Sequence, residues 1–256
     1  MKTKIELKVS GLDETAQIWL TDEAALARQL AADRKCVIFI LTEKNRQESL
    51  AEIRYCVELL PEETVSFQEQ VTEEYLERVW RRHMGLPWHI LETKRLLLRE
   101  MTIDDADNLI KMYKDEEMTR FMEPLGAEQE DLTELIAAYI RGMYEFYEFG
   151  IWIVELEDGT VIGRAGLQLR EGEEYPELGF CIDADYRNCG YAYEACRAVL
   201  RYGFEELEFP VIRVVVHKDN HKSLKLCKKL GFSVESGRIS EDGLWISMEM
   251  SSDREK

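Results

Sequence analysis

A strand, a glycine-containing turn and a long amphipathic helix follow one another between residues 177 and 207. Glu177 to Asp183 has the pattern of a strand, which Pro176 can begin because the first strand position tolerates a missing hydrogen-bond donor. The helix runs from about Ala192 to Leu207, and its apolar stripe consists of Ala192, Ala195, Cys196, Val199, Leu200 and Phe204. This order of elements indicates a sheet with helices packed against it.

The turn between this strand and this helix has features that suit a diphosphate. Backbone N–H groups at the start of a helix point outward, and the helix dipole adds partial positive charge there. Gly190 lets the backbone approach a ligand, Ala192 keeps the helix start uncluttered, and Arg187 adds a positive charge. An ordinary turn in which Gly190 supplies an unusual φ is the alternative. The full turn reads Arg187-Asn188-Cys189-Gly190-Tyr191-Ala192.

The remainder of residues 92–250 alternates between strand and helix patterns. Glu157-Asp158-Gly159-Thr160 is a turn signal between two strand-like runs and predicts a hairpin. Asn220 and Gly231 occupy the positions of a helix N-cap and of the residue after a helix. The predicted strands are 96–98, 151–156, 161–169, 211–216 and 244–250, and the predicted helices are 104–114, 132–147 and 220–230. Together they predict a mixed sheet with helices.

Residues 1–90 have the pattern of a separate small α/β unit. Gln17 to Leu20 and Cys36 to Leu41 read as strands, Val65 to Phe67 is a weaker third run, and Val71 to Met84 has helical spacing. Alternating elements imply crossover connections, so a parallel sheet is expected. Gly85-Leu86-Pro87-Trp88 is the best linker, and the predicted domains are 1–90 and 91–256.

No chemistry is recognisable in this N-terminal unit. A phosphatase-like domain would need an Asp-x-Asp motif or a Gly-rich loop, and neither occurs. His83 and His89 are isolated, so no metal site is predicted. The expected role of the unit is to shape an acceptor site or a dimer interface, and a homodimer is therefore one expectation.

The charge balance restricts the partners of the protein. The 33 Lys and Arg against 51 Asp and Glu give a net charge of −18, which repels nucleic acid and anionic lipid and favours cationic partners such as amines. No apolar run approaches the roughly 18 residues that a membrane span needs, so a cytoplasmic protein is expected. The six cysteines form no C-x-x-C pair and are expected to be thiols.

Five segments resemble the GNAT superfamily of acyl-CoA-dependent N-acyltransferases, in the order that the superfamily has them. The match spans about residues 91–250 and is closest to the branch that acetylates ribosomal-protein N-termini and many small amines. It implies a mixed, mostly antiparallel acyl-CoA N-acyltransferase sheet flanked by helices. The segments are Glu92 to Glu100, Val161 to Leu167, Glu177 to Phe180, Arg187 to Ala192, and Asn220 to Ser223 with Lys229 to Phe232.

The resemblance implies acetyl-CoA as the acyl donor. In this fold the fourth and fifth strands splay apart, and the unpaired backbone groups of Phe180, Cys181, Ile182 and Asp183 can hold the pantetheine arm as an added strand. One of these N–H groups could stabilise the oxyanion that forms from the thioester. The diphosphate is expected on the turn from Arg187 to Ala192, namely Arg187, Asn188, Cys189, Gly190, Tyr191 and Ala192, and the motif residues Asn220 and Ser223 complete the expected donor site.

Two residues are the candidates for proton transfer. Glu177 falls where related enzymes place a catalytic glutamate, and it could take the proton of the attacking amine directly or through water. A solvent-facing charge is the alternative reading of this residue. Cys227 stands where many members carry a tyrosine that protonates the CoA thiolate, and a buried structural cysteine is its alternative. The thiolate could also leave unassisted, or take a proton from water, Tyr193 or Tyr186.

The expected acceptor is a small amine or a peptide N-terminus. Acidic residues around the first helix of this half predict a negative acceptor groove, although a solvated face would look the same. The competing hypothesis is a catalytically weak acyl-CoA sensor that acts through its N-terminal unit. The acidic residues are Asp104, Asp105, Asp107, Asp115, Glu116 and Glu117.

Overall fold

The computed structural model describes residues 2–50, 52–59, 67–122, 129–170, 172–234, 239–240 and 242–252. The chain forms two compact units, Met1–Trp88 and His89–Lys256. The sequence placed the boundary after residue 90 and the structure places it after residue 88. Among the described residues, no helix combines the length and the apolar character needed to cross a membrane.

The N-terminal unit contains a four-stranded sheet with helices on it. Strands β2, β3 and β4 are parallel, as expected, whereas β1 pairs with β2 in the antiparallel direction. Among the described residues, the third parallel strand is β4. Of the predicted run at 65–67, Val65 and Ser66 lie outside the described residues, and Phe67 begins a helix. The elements are β1 (Lys2–Lys8), β2 (Thr15–Thr21), α1 (Ala24–Ala32), β3 (Cys36–Leu41), β4 (Tyr55–Glu58), α2 (Phe67–Gln70) and α3 (Glu73–Met84).

The C-terminal unit is built on a seven-stranded sheet in the order β11-β10-β9-β8-β7-β6-β5. Every neighbouring pair is antiparallel except β9 and β10, which confirms the predicted mixed, mostly antiparallel sheet flanked by helices. Its strands are β5 (His89–Glu92), β6 (Leu96–Arg99), β7 (Ile151–Leu156), β8 (Val161–Gln168), β9 (Glu177–Ile182), β10 (Val211–His217) and β11 (Trp245–Ser251). Its helices are α4 (Ala106–Tyr113), α5 (Glu116–Thr119), α6 (Gln129–Tyr139), α7 (Tyr191–Glu205) and α8 (His221–Leu230).

The predicted helix at 132–147 departs from regular α-helix after Tyr139. Residues Ile140–Tyr144 form a π-helical turn, and this turn positions two tyrosines at the start of β7. Tyr144 donates its hydroxyl hydrogen to Ile151 O (2.5 Å), and the Tyr139 hydroxyl oxygen accepts from Ile151 N (2.6 Å). Burial raises the pKa of Tyr139 to about 12, so both hydroxyls stay protonated and satisfy the strand end.

The two faces of the sheet carry different helices. A Cβ added at Gly203 of α7 would lie 2.7 Å from both Leu167 Cδ1 and Ile212 Cδ1, so α7 packs very closely on the face that these side chains occupy. Arg164 of β8 instead donates from Nη2 to the Tyr113 hydroxyl of α4 (2.7 Å), on the opposite face. Alternation along paired strands then places Glu177 and Cys181 on the α4 face.

Candidate functional site

Strands β9 and β10 are paired at one end and separated at the other. Within these two fully described strands, the register pairs Arg213 with Glu177 and no other residues. Arg213 N donates to Pro176 O (2.9 Å) at this same point. On its other side, β9 pairs with β8 along its whole length, from Glu177 to Ile182. The sheet therefore opens between β9 and β10 toward the carboxyl end of β9.

Only alternate residues of β9 direct their backbone groups into this opening. Asp183 N donates to Ile162 O (2.8 Å), so Asp183 and Cys181, two residues before it, point their peptide groups at β8. Phe180 and Ile182 have the opposite orientation and face β10 across the gap. Of the four residues expected to hold a pantetheine arm, Phe180 and Ile182 thus direct backbone groups into the opening, and Cys181 and Asp183 form hydrogen bonds with the β8 side.

The turn after β9 forms the entrance to α7. Asn188 (φ 62°) and Gly190 (φ 85°) both have left-handed backbone conformations, and Gly190 is the N-cap of the helix without any side-chain cap. The first intrahelical hydrogen bond runs from Glu194 N to Gly190 O (3.1 Å). The amides of Tyr191, Ala192 and Tyr193 precede it, and such amides at a helix start favour an anion.

Arg187, which the sequence predicts to add a positive charge to the turn, forms hydrogen bonds within the protein. Its Nε donates to Ile182 O (3.1 Å), the carbonyl at the end of β9, and its Nη2 donates to Asp115 Oδ2 (2.5 Å). Asp115 lies between α4 and α5, so the arginine ties the turn to these helices. Its charge is balanced by this carboxylate, which leaves the backbone amides as the main feature of the turn.

A charged cluster that sequence reasoning missed forms hydrogen bonds to the turn and to the first turn of α7. Arg95 donates from Nη1 to Cys189 O (3.0 Å) and from Nε to Glu194 Oε2 (2.7 Å), and Thr93 Oγ1 donates to Glu194 Oε1 (2.8 Å). Partial burial opposes ionisation of Glu194, but the hydrogen bonds from Thr93 and Arg95 outweigh it and lower its pKa. The one sequence signal was the acid in the first turn of a helix.

Helix α8 brings one lysine to the first turn of α7. The Lys229 Nζ lies 4.2 Å from the centre of the Tyr193 ring, in the first turn of α7. In a chain with a net charge of −18, α8 carries Lys222, Lys225, Lys228 and Lys229 and no acidic residue. The sequence analysis did not single out these lysines, although their clustering in one helix was visible.

Glu177 lies at the closed end of the opening, where β9 and β10 meet. Its side chain is 14% exposed, which does not fit a fully solvent-facing charge. Arg170 binds both carboxylate oxygens, from Nε to Oε2 (2.8 Å) and from Nη2 to Oε1 (3.2 Å). The carboxylate is therefore held in one orientation on the α4 face, next to the paired residue Arg213.

Cys227, Asn220 and Ser223 have local structural explanations. Cys227 is 0% exposed within the hydrophobic core, and burial raises the pKa of its thiol to about 12. Asn220 is the N-cap of α8, since its Oδ1 accepts from Ser223 N (3.1 Å). The Cys227 thiol is not exposed to solvent in this conformation. All six cysteines are thiols, as expected.

The acidic residues around α4 contribute less unpaired negative charge to a groove than expected. Asp105 is buried, and Arg99 binds its two carboxylate oxygens at 2.8 and 2.7 Å. Asp115 is bound to Arg187, and the Glu117 side chain lies outside the described positions. At least two of the six acids therefore neutralise arginines of the protein itself.

Comparisons with known proteins show similarity to acetyltransferases. The family model described as Acetyltransferase (GNAT) domain matches residues 95–233, more than half of the chain. The uncharacterized N-acetyltransferase YoaA of Bacillus subtilis is 33% identical over 151 residues, which cover 57% of this chain and 84% of that protein.

Two solved structures share the fold. An acetyltransferase (GNAT family) from Bacillus anthracis aligns with a TM-score of 0.54 and 22% identity, over 65% of this chain and 99% of that one. The spermidine N-acetyltransferase from Vibrio cholerae in complex with CoA and spermine aligns with a TM-score of 0.54 and 20% identity, over 63% of this chain and 98% of that one. All of these matches leave a large part of this chain uncovered.

Proposed function

Because the chain belongs to the GNAT acetyltransferase family, we propose that it moves an acetyl group from acetyl-CoA to a primary amine by direct attack, with Glu177 as the general base. The family makes the chain an acetyl-CoA-dependent N-acetyltransferase. The observation that carries the finer proposal is the opening between β9 and β10, which places unpaired backbone groups beside the turn that leads into α7.

The residues around the opening fit the donor. The N–H and C=O of Phe180 and the N–H of Ile182 can pair with the amides of a pantetheine arm, as an added strand would, whereas the Ile182 carbonyl is bound by Arg187. The amides of Tyr191 and Ala192 suit the diphosphate, and Lys229, which lies over the Tyr193 ring in the same helical turn, supplies positive charge. In this proposal Arg187, Asn188, Cys189 and Gly190 shape the turn.

Beyond the Arg213–Glu177 pair, the first backbone N–H of β9 that points into the gap belongs to Phe180. We assign it the donor role toward the thioester oxygen, where such a hydrogen bond stabilises developing negative charge by about 3 kcal/mol. The thioester supplies an activated acetyl group. The protein supplies a fixed donor that needs no reorganisation during the reaction.

Amines are mostly protonated at neutral pH, since their pKa values are about 8 for α-amino groups and about 10.4 for lysine. The attacking amine must therefore lose a proton, and Glu177 on the α4 face is positioned to take it, directly or through water. Arg170 fixes the orientation of the carboxylate. Because Cys227 is buried, we propose that the CoA thiolate takes its proton from water.

The acceptor in this proposal is a small amine or a peptide N-terminus. The names of the aligned proteins support an amine, since one of them is a spermidine N-acetyltransferase. Six cysteine thiols suit a reducing compartment, and we propose that the reaction takes place in the cytoplasm.

The direct test measures thiol release from acetyl-CoA by the purified full-length chain, over a panel of amines and peptides. Calorimetry with CoA is carried out on the same preparation. Amine-dependent release with formation of an N-acetylated product supports the enzyme. If CoA binds and no amine or peptide accelerates release, the acyl-CoA sensor replaces it.

A further inference from the structure

One arginine on the α4 face of the sheet forms no ion pair with any acidic residue in the described part of the chain. Arg164 lies in β8, directly opposite Cys181 of β9 and Ile153 of β7. Its Nη2 donates to the Tyr113 hydroxyl (2.7 Å), and its guanidinium carbon lies 5.4 Å from the centre of that ring. Its Nε is buried and has no hydrogen-bond partner in the described part of the chain.

Arg99, an arginine on the same face of the sheet, shows how a buried guanidinium is usually accompanied by carboxylates. Arg99 of β6 lies opposite Ile153 in the same row of the sheet, and it is bound by the carboxylates of both Asp105 and Glu155. Taking a guanidinium out of water is costly unless an anion accompanies it. In a chain with 51 acidic residues, none of those described forms an ion pair with Arg164. An anion from outside the protein would complete this position.

The register of the sheet relates Arg164 to the proposed base. Cys181, which faces Arg164, is four residues after Glu177 on the same face of β9, a distance of about 13 Å along a strand. Between them lies the pair Gly166 and Gly179, which has no side chains. The Ile151 Cδ1 approaches to 2.9 Å from the position of a Cβ at Gly179. The surface between the carboxylate and the guanidinium is therefore apolar.

We propose that Arg164 binds a carboxylate of the amine acceptor, so that the acceptor class is amines that carry a carboxylate at the far end of an aliphatic chain. This inference rests on the proposed function, because it takes the amine end to be at Glu177. The apolar section at Ile151 suits the intervening carbons. A polyamine such as spermidine has no anion for Arg164 and brings a second cation toward it, so it is a poor acceptor here.

The test compares matched acceptors on variants of the full-length protein. The acceptors are ω-amino acids from β-alanine to 6-aminohexanoate, each with its uncharged amide, together with spermidine. The variants are Arg164→Gln, Arg164→Lys and, as a control for loss of one positive charge, Arg201→Gln on the exposed side of α7. The readouts are kcat/KM for CoA release and calorimetric Kd for each acceptor on CoA-saturated protein, with thermal unfolding to confirm that the variants are folded.

In the wild type and in Arg201→Gln, we expect at least one amino acid to exceed its amide about tenfold or more in kcat/KM and in affinity, which corresponds to a charge-assisted hydrogen bond. In Arg164→Gln this ratio falls to about one, and Arg164→Lys retains part of it. A wild type that accepts amines without preferring a carboxylate overturns the role of Arg164 and leaves the enzyme intact. So does a preference that survives in folded Arg164→Gln.

Failure of the proposed function would look different, because no amine would release CoA from the wild type at all. In that case, the role of Arg164 is tested by calorimetry alone, through the ratio of the Kd values of each amino acid and its amide. If the wild type binds an amino acid more tightly than its amide and Arg164→Gln does not, the carboxylate site is still supported. Equal or absent binding of the two compounds overturns it.

Discussion

Arg213 of β10 lies directly opposite Glu177 of β9, at the point where the two strands part. Arg213 is itself held in place, because it forms an ion pair with Glu173 and donates to Ser247 Oγ (3.2 Å). The closed end of the opening is thus fixed by side chains from the segment before β9 and from β11. A base at this end is fixed relative to the unpaired amides that follow it along β9.

Replacing Phe180 by proline tests the role of its backbone N–H. Proline removes the Phe180 N–H that faces the gap, whereas the hydrogen bonds of β9 to β8 involve the neighbouring residues and remain. Phe180→Ala is the matched control, since it loses the same side chain and keeps the amide. We expect kcat in Phe180→Pro to be about 100-fold or more below that of Phe180→Ala. Similar kcat values in two folded variants would exclude this amide as the oxyanion donor.

Lys229 is expected to contribute to CoA affinity through its charge near the start of α7. Lys229→Gln should raise the Kd for CoA about threefold to tenfold at low salt, and the difference should shrink as salt is added, because exposed charges are screened. Calorimetry at two ionic strengths measures both effects. Lys35→Gln, at an exposed site in the N-terminal unit, is the control. An effect that is equal at both salt concentrations would point to packing and not to charge.

The cluster beneath the turn predicts a specific dependence of stability on pH. The pKa of Glu194 is lowered from its ordinary value of 4.5 in the folded protein, so the ionised form stabilises the fold above about pH 4.5. This contribution is lost as the pH falls through the lower folded pKa. The difference in unfolding free energy between wild type and Glu194→Gln should be constant near neutral pH and should shrink below pH 4.5. A difference that grows on acidification would contradict the lowered pKa.

The burial of Cys227 predicts a structural role that stability measurements can separate from catalysis. Cys227→Ser places a hydroxyl in the core and should lower the unfolding free energy by about 1–3 kcal/mol. The pH dependence of kcat should not change, because the thiol does not take part in proton transfer. Urea unfolding and a pH–rate profile check the two statements. A large loss of kcat at unchanged stability would restore Cys227 as the acid.

The sequence was sufficient for the local features of the donor site and insufficient for its tertiary partners. The strand, turn and helix from Glu177 onward were predictable because hydrophobic periodicity and Gly190 specify them within one short stretch. The contact of Thr93 and Arg95 with Glu194 spans about 100 residues, and no local pattern encodes it. The partner of Arg187 was not predictable for the same reason, since Asp115 lies far from it along the chain.

Residues that serve the core were also hard to recognise from their types alone. Cys227 and Asp105 were singled out for chemistry because of their position in a motif and their charge. In the structure, Cys227 packs in the core and Asp105 is bound by Arg99. Antiparallel β1 was missed because its alternating charged residues are mostly exposed, which removes the hydrophobic signal that the other strands have.

The most direct measurement is amine-dependent release of CoA by Glu177→Gln, compared with the wild type and with Glu157→Gln, whose substitution lies in an exposed turn between β7 and β8. Glutamine keeps the shape of the side chain and cannot take a proton from the amine. Glu177→Gln should lower kcat/KM for the amine about 100-fold or more, with the Kd for CoA unchanged and Glu157→Gln fully active. A Glu177→Gln variant that transfers acetyl groups at the wild-type rate would contradict the assignment of Glu177 as the base.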